Sequence, residues 1–224
     1  MQKRTLKETI LRVIILFIGL VIAHLGVTLF LLADLGADPF NVLIQGLFRT
    51  IVSITGFEIL THGYTHVAVS LLIIVVLLIV DKSYVKIGTV ICMVCGGPII
   101  DFFTWLLGNI IHAGNPFIMR ILVLGLGCVI LAYGMTIVIK SDSGTGPNDL
   151  VAVVISDKIR KPFGIVRIIV DICFVVAGFL MGGAVGIGTI ICAALVGPVA
   201  GIFLPRNEKL IHIIIKKFED TYGK

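Results

Sequence analysis

Charge is what this 224-residue sequence has least of. Lys, Arg, Asp and Glu supply 14% of its residues while 58% are hydrophobic, and a soluble domain carries about a quarter charged residues. That shortage excludes a soluble fold, because too few polar side chains remain to cover a surface facing water. Also missing are a glycine-rich nucleotide loop, a zinc-spaced His/Glu motif and a nucleophile elbow. Nor is there a polar stretch long enough to form a soluble catalytic domain. The expectation is therefore no enzyme, no cofactor and no metal. The cysteines Cys92, Cys95, Cys128, Cys173 and Cys192 all lie inside apolar segments. Cys92 and Cys95 form a C-x-x-C without a second pair or a nearby His, so packing as small hydrophobes is the expected role.

What is present is a series of apolar runs near the roughly 20 residues that cross a hydrocarbon core as a helix, with a mean hydropathy of +1.15. Six spans fit: about 10–33, 65–80, 87–107, 119–139, 163–181 and 187–204. Two shorter apolar stretches, 39–54 and 147–159, are too short to span comfortably and read as re-entrant or interfacial helices. The fold class is thus an all-α polytopic membrane protein. The first run has a basic flank and lacks a small-residue cleavage site, so it reads as a retained span.

The sequence pI of about 9.0 does not call for nucleic acid here, since basic residues accumulate in cytoplasmic loops. With the N-terminus inside, all Lys and Arg except Arg49 and Arg120 fall on the cytoplasmic side. Both termini are expected in the cytoplasm. The tail, 205–224, carries Leu210, Ile211, Ile214, Ile215 and Phe218 at helical spacing. It reads as an interfacial amphipathic helix resting on lipid.

The chain repeats itself. "KIGTVICMVCGGPIIDFF" (86–103) and "GIGTIICAALVGPVAGIF" (186–203) align without a gap, sharing Ile87, Gly88, Thr89, Ile91, Cys92, Gly97, Pro98 and Phe103. "GVTLFLLADLGADPFN" (26–41) aligns with "GMTIVIKSDSGTGPND" (134–149) on G-x-T-x5-D-x-G-[A/T]-x-P-x-[N/D]. A third pairing, Gly63 with Gly164, sets His66 opposite Arg167 and Ser70 opposite Asp171. The first copy has a longer connection around 54–62. Repeat one covers about 10–107 and repeat two about 119–204, within a single membrane domain. Each holds three spans and one short helix. Three is odd, so the second copy is expected to enter the membrane from the opposite side, as in inverted-repeat transporters.

The repeated motif has chemistry of its own. Asp38 before Pro39 is an N-cap with proline at the first helical position, and Gly146 before Pro147 is its counterpart. Gly36 and Gly144 permit backbone geometry other residues resist. Each copy starts a short helix whose free N–H groups and dipole can meet an anionic group; the bland alternative is a capped interfacial turn. The polar set expected in one half of the membrane is His24, Asp34, Asp38, Asn41, Gln45, His66 and Asp101. The other half holds Asp142, Asn148, Asp149, Arg167 and Asp171. His24 and Asp101 reach similar depths, and a pair between them would suit proton coupling or would orient helices statically. Arg167 and Asp171 stand one turn apart and are expected to pair. Pro98 and Pro198 should kink spans three and six beside a central cavity. Gly178, Gly182 and Gly186 have small-x-x-x-small spacing, which implies close helix packing.

The paired "DLGADPFNVLIQGL" and "DSGTGPNDLV" motifs, with the repeated "IGT" and "GP", resemble the YczE/YitT-type bacterial integral membrane proteins from about 12 to 204. The resemblance implies the bacterial cytoplasmic (inner) membrane and supplies no reaction. The function expected is a small secondary transporter or exporter of a polar or anionic metabolite by alternating access, with proton coupling. The alternative is a non-transporting accessory protein for a biosynthetic or assembly system. Expected partners are the lipid bilayer, a small polar metabolite and a second copy in a homodimer, with no nucleic acid.

Overall fold

The computed structural model describes residues 5–56, 60 and 62–222. The described residues form eight helices: α1 (Leu6–Ala33), α2 (Pro39–Thr55), α3 (His62–Asp81), α4 (Ile87–Leu107), α5 (Phe117–Lys140), α6 (Pro147–Ile159), α7 (Phe163–Leu180) and α8 (Ile187–Tyr222). Six of them, all but α2 and α6, are long and apolar enough to cross a membrane. Lys3, Arg4 and Lys224 of the basic count, and part of the longer connection expected around 54–62, lie outside the described residues.

Local chemistry places the ends. The Thr5 hydroxyl accepts from the Glu8 N–H at 3.2 Å and opens α1. Asp34 closes it in the left-handed region, φ 49°. Pro39 and Pro147 occupy the first positions of α2 and α6, where the missing N–H is no loss.

α1 and α5 run antiparallel through the centre with their backbones nearly touching. A Cβ added to Gly26 would come within 2.6 Å of the Gly127 carbonyl oxygen, and one added to Gly127 within 2.8 Å of the Gly26 oxygen. Small residues at such a crossing let dispersion contacts form along the whole seam, which is how helices associate without a water-driven hydrophobic force. The main core adds Ala152 of α6, Phe163, Val166 and Val170 of α7, and Cys192, Val196 and Ala200 of α8 to Phe30 and Ala33 of α1 and Leu124, Cys128, Ala132 and Met135 of α5.

Three expectations are corrected. The tail is not a separate helix resting on lipid alone: α8 continues unbroken past Pro198 and Pro205 to Tyr222. Ile211 and Ile215 are buried against Ile15 and Ile137, whereas Leu210, Ile213 and Ile214 stay exposed. Asn207 donates to the Thr136 hydroxyl at 2.7 Å, and Lys140 pairs with Glu208 at 2.8 Å. Those polar ties direct the tail across the ends of α1 and α5. Second, Pro98 and Pro198 lie inside continuous helices on their exposed sides, and neither lines the large cleft described below. Third, the three spaced glycines do different work. Gly178 packs on Val42 of α2 and Gly186 on Leu35, while nothing lies within 4 Å of where a Cβ on Gly182 would stand; that residue makes a turn at φ 84°.

Candidate functional site

The two copies of the motif sit at opposite ends of the α1/α5 pair, each clasped by the helix start of the other repeat. The Gly188 N–H donates to the Leu35 carbonyl at 2.8 Å, and the Gly88 N–H donates to the Ser143 carbonyl at 2.8 Å. Gly36 and Gly144 hold φ 138° and 121°, which L side chains rarely adopt. An arginine completes each end. Arg120 of α5 donates through Nε to the Ala33 carbonyl at 2.7 Å, and also meets the Asp34 carbonyl. Arg12 of α1 donates to the Ser141 carbonyl at 3.1 Å. Unpaired carbonyls and the negative dipole end of a helix both favour a cation there. Sequence reasoning missed this reciprocal pair, although Arg12 and Arg120 obey the same 108-residue offset as the motifs. Arg49 is likewise used, donating to the Gly182 carbonyl at 2.5 Å.

Asp34 and Asp142 therefore belong to the ends and not to the interior. The Asp34 side chain is mostly exposed and 3.6 Å from Arg120, and Asp142 pairs with Lys86. Asp38 caps α2 as the sequence implies, taking 3.2 Å from the Asn41 N–H and 2.6 Å from the Asn41 amide. Gly146 caps α6 with no side chain, and Asn148 follows in the first turn, its Oδ1 3.0 Å from where a Gly146 Cβ would stand. Gln45 accepts from the Ala184 N–H at 2.6 Å. His66 stacks edge-on against Phe40 at 5.3 Å, and Phe40 meets Phe174 at 5.5 Å.

The interior charge is concentrated on α6 and α7. Arg167 pairs with Asp171 at 3.0 Å, as the one-turn spacing implies. It also pairs with Asp149 of α6 at 2.5 Å, which spacing alone could not reveal. Asp171 is fully buried, and its Oδ1 has no hydrogen-bond partner among the described residues. Asp38 is near enough to act electrostatically on Asp171, and Asp149 on His24. The cluster thus ties motif two, through Asp149, to the interior face of α7. Since Arg167 already serves two carboxylates, it is not a free clamp for an anion.

The expected His24–Asp101 pair does not form. His24 Nδ1 bonds the Leu20 carbonyl at 2.8 Å, and its Nε2 lies against Gly96. Asp101 is exposed on α4, with no hydrogen bond or ion pair among the described residues. A histidine four residues from a carbonyl on its own helix satisfies itself locally, and α4 turns Asp101 away.

A cleft of about 970 Å³ opens at the end where motif two lies, lined by Arg12, Lys86, Lys140, Thr145, Leu150 and His212 among others. Among the described residues, the Thr145 hydroxyl in this lining and the Thr89 hydroxyl beside Gly144 are buried without hydrogen-bond partners. At the other end the matched Thr189 donates to the Ala37 carbonyl at 2.6 Å. Outside the spans, the Tyr84 phenol beside this cleft is pushed up from its usual value by burial and by its hydrogen bond to Asp157. No group of three or more His, Cys, Asp or Glu placed to hold a metal occurs among the described residues.

The model of a family of unknown function, DUF6198, matches residues 10–205, and the chain belongs to that family. An uncharacterized membrane protein of Bacillus subtilis, YczE, is 29% identical over 212 residues, 94% of each chain. The uncharacterized protein YyaS of the same organism is 26% identical over 86% of this chain and 92% of its own. An uncharacterized protein of Haemophilus influenzae is 28% identical over 91% and 88%. No solved structure matches.

Proposed function

Taking membership of that family of membrane proteins as the premise, we propose that the chain is a small secondary transporter of a polar metabolite in the bacterial cytoplasmic membrane. It works by alternating access between two inverted three-span repeats, with both termini in the cytoplasm. One observation carries the reading: Arg167, buried in α7, is held between the fully buried Asp171 and the partly buried Asp149 of α6. Ionisable groups inside a membrane protein are expensive and mark substrate or ion pathways. The reciprocal seating of the two motifs supports the inverted arrangement, since each short helix starts at a different end of the antiparallel α1/α5 pair. The occupied Arg167 favours a neutral or zwitterionic cargo over an anion.

Two experiments test this. Single cysteines placed as Asp38→Cys and Gly146→Cys in an otherwise cysteine-free chain should be labelled by an impermeant reagent from opposite faces of the membrane. Labelling from one face removes the inverted repeat. Comparison of metabolites in cells with and without the gene, followed by counterflow of the altered compounds in proteoliposomes, should give flux that Arg167→Gln abolishes. Flux for none of them sinks the transporter reading.

A further inference from the structure

The interior cluster holds two carboxylates and one guanidinium, a net negative charge whose Asp149 end is partly exposed and whose Asp171 end is shut away from water. Asp171 is 0% exposed and Arg167 6%. Arg167 spends its Nε on Asp171 Oδ2 and one terminal nitrogen on Asp149 Oδ1. What remains is Asp171 Oδ1, buried and without a donor among the described residues. Asp171 is bonded to Arg167 on its own helix, which in turn holds Asp149 of α6; Asp38 of α2 and Cys192 of α8 are the other titratable groups near enough to act on it electrostatically. Apart from Arg167, the nearest group able to carry a positive charge is His24 of α1, which is near enough to act on Asp149 but has its Nδ1 at the Leu20 carbonyl and its Nε2 against Gly96. A carboxylate shut away from water with one oxygen unmet is disfavoured in its charged form, and a proton on that oxygen removes the charge.

The duplication gives an independent reason. The residues matched to Asp149, Arg167 and Asp171 are Asn41, His66 and Ser70. At these three matched positions the first copy has no carboxylate, and the one acid beside them, Asp38, is bonded to Asn41 as a helix cap, so the paired acids around Arg167 are particular to the second copy.

Resting on the transporter reading above, we propose that Asp171 is the proton-carrying residue of the coupling step. With one proton on Oδ1, its Oδ2 still accepts from Arg167, Asp149 alone balances the guanidinium, and the cluster is neutral. When the interior opens, the proton leaves to water, and Arg167 holds two carboxylates in a wetted site where a net charge is tolerated. The coupling role expected of the His24–Asp101 pair passes to a residue that is buried and one bond short.

Infrared spectroscopy of the full chain in lipid tests this without any cargo. At about pH 6, where an exposed aspartate is ionised, the wild type should show the stretch of a protonated carboxyl. Asp171→Asn should remove it, and Asp101→Asn should keep it. Asp149→Asn should also remove it although Asp171 is intact, because Arg167 and Asp171 are then balanced without a proton. That variant keeps the test decisive if Asp171→Asn does not fold. No such band in the wild type, or a band that survives Asp149→Asn, overturns the proposal. So does a band present only when sodium is withheld, which would make the charge an alkali cation. A band with no flux for any metabolite sinks the transporter reading and leaves the protonation of Asp171 standing.

Discussion

The seam between α7 and α8 and its sequence counterpart between α3 and α4 are built from the same pattern and packed in opposite ways. Gly164 and Gly197 bring α7 and α8 into backbone contact: a Cβ on either would fall within 2.6 Å of the other's carbonyl oxygen. At the matched Gly97 of α4, nothing lies within 4 Å of where a Cβ would stand. In their most apolar stretches 17% of α3 and 11% of α4 are buried, against 39% in each of α7 and α8. α3 and α4 contribute nothing to the main core. α4 joins α1 and α5 through Cys92, and α3 joins α6 through Leu77. One repeat is closed on itself and the other is parted. The duplicated pattern therefore does not by itself fix how tightly a seam packs.

The largest expected effect lies in the charged corner. Arg167→Leu should destabilise by about 3–5 kcal/mol, because the fully buried Asp171 and the partly buried Asp149 lose their shared partner. The matched His66→Leu should cost far less. Thermal unfolding in mild detergent followed by circular dichroism separates them, and equal losses would mean that the cluster is not specially charged. Next come the seams. Gly164→Ala should cost about 1–3 kcal/mol by forcing α7 from α8, while Gly97→Ala should stay within about 0.5 kcal/mol. A costly Gly97→Ala would show that the α3/α4 seam closes in solution. Removing either reciprocal arginine, as Arg12→Met or Arg120→Met, should cost about 1 kcal/mol through loss of a bond to helix-end carbonyls. Equal losses in chemical unfolding would support the symmetry of the two ends, and clearly unequal ones would break it.

The smallest effect is at Tyr84. Its phenol is held above the usual value by burial and by its bond to Asp157. The folded state therefore keeps this proton to higher pH than the unfolded chain. The stabilisation is whole below the unfolded value and fades as pH rises through the folded one. Tyr84→Phe should flatten the alkaline limb of stability against pH and leave the neutral range unchanged.

How much of this was legible depends on the range of each cause. The helices at 39–55 and 147–159 could be read because Asp38-Pro39 and Gly146-Pro147 are local start signals. Arg167 with Asp171 could be read because i and i+4 share a helix face. Arg167 with Asp149 could not, since 18 residues and a helix junction separate them. Asp101 was misplaced for a related reason: depth along a span follows from counting residues, but the face a helix presents depends on its neighbours. The tail was half read. Its amphipathic pattern is there, yet the same pattern suits a lipid surface and the ends of α1 and α5.

By itself the sequence determined that the chain lives in a membrane, that it is helical, where six long and two short helices run, and that its motifs are duplicated. Each of these follows from hydropathy, capping and identity, which act over a few residues or are carried in the residues themselves. Tertiary structure alone decided that Arg167 is shared by two acids, that Asp171 is left with an open oxygen, that Arg12 and Arg120 cap each other's helices, and that α3 and α4 stand apart where α7 and α8 meet. In a membrane the helices share one apolar solvent, so hydropathy cannot say which face meets which. Only close packing of small residues and a few buried polar bonds make that choice.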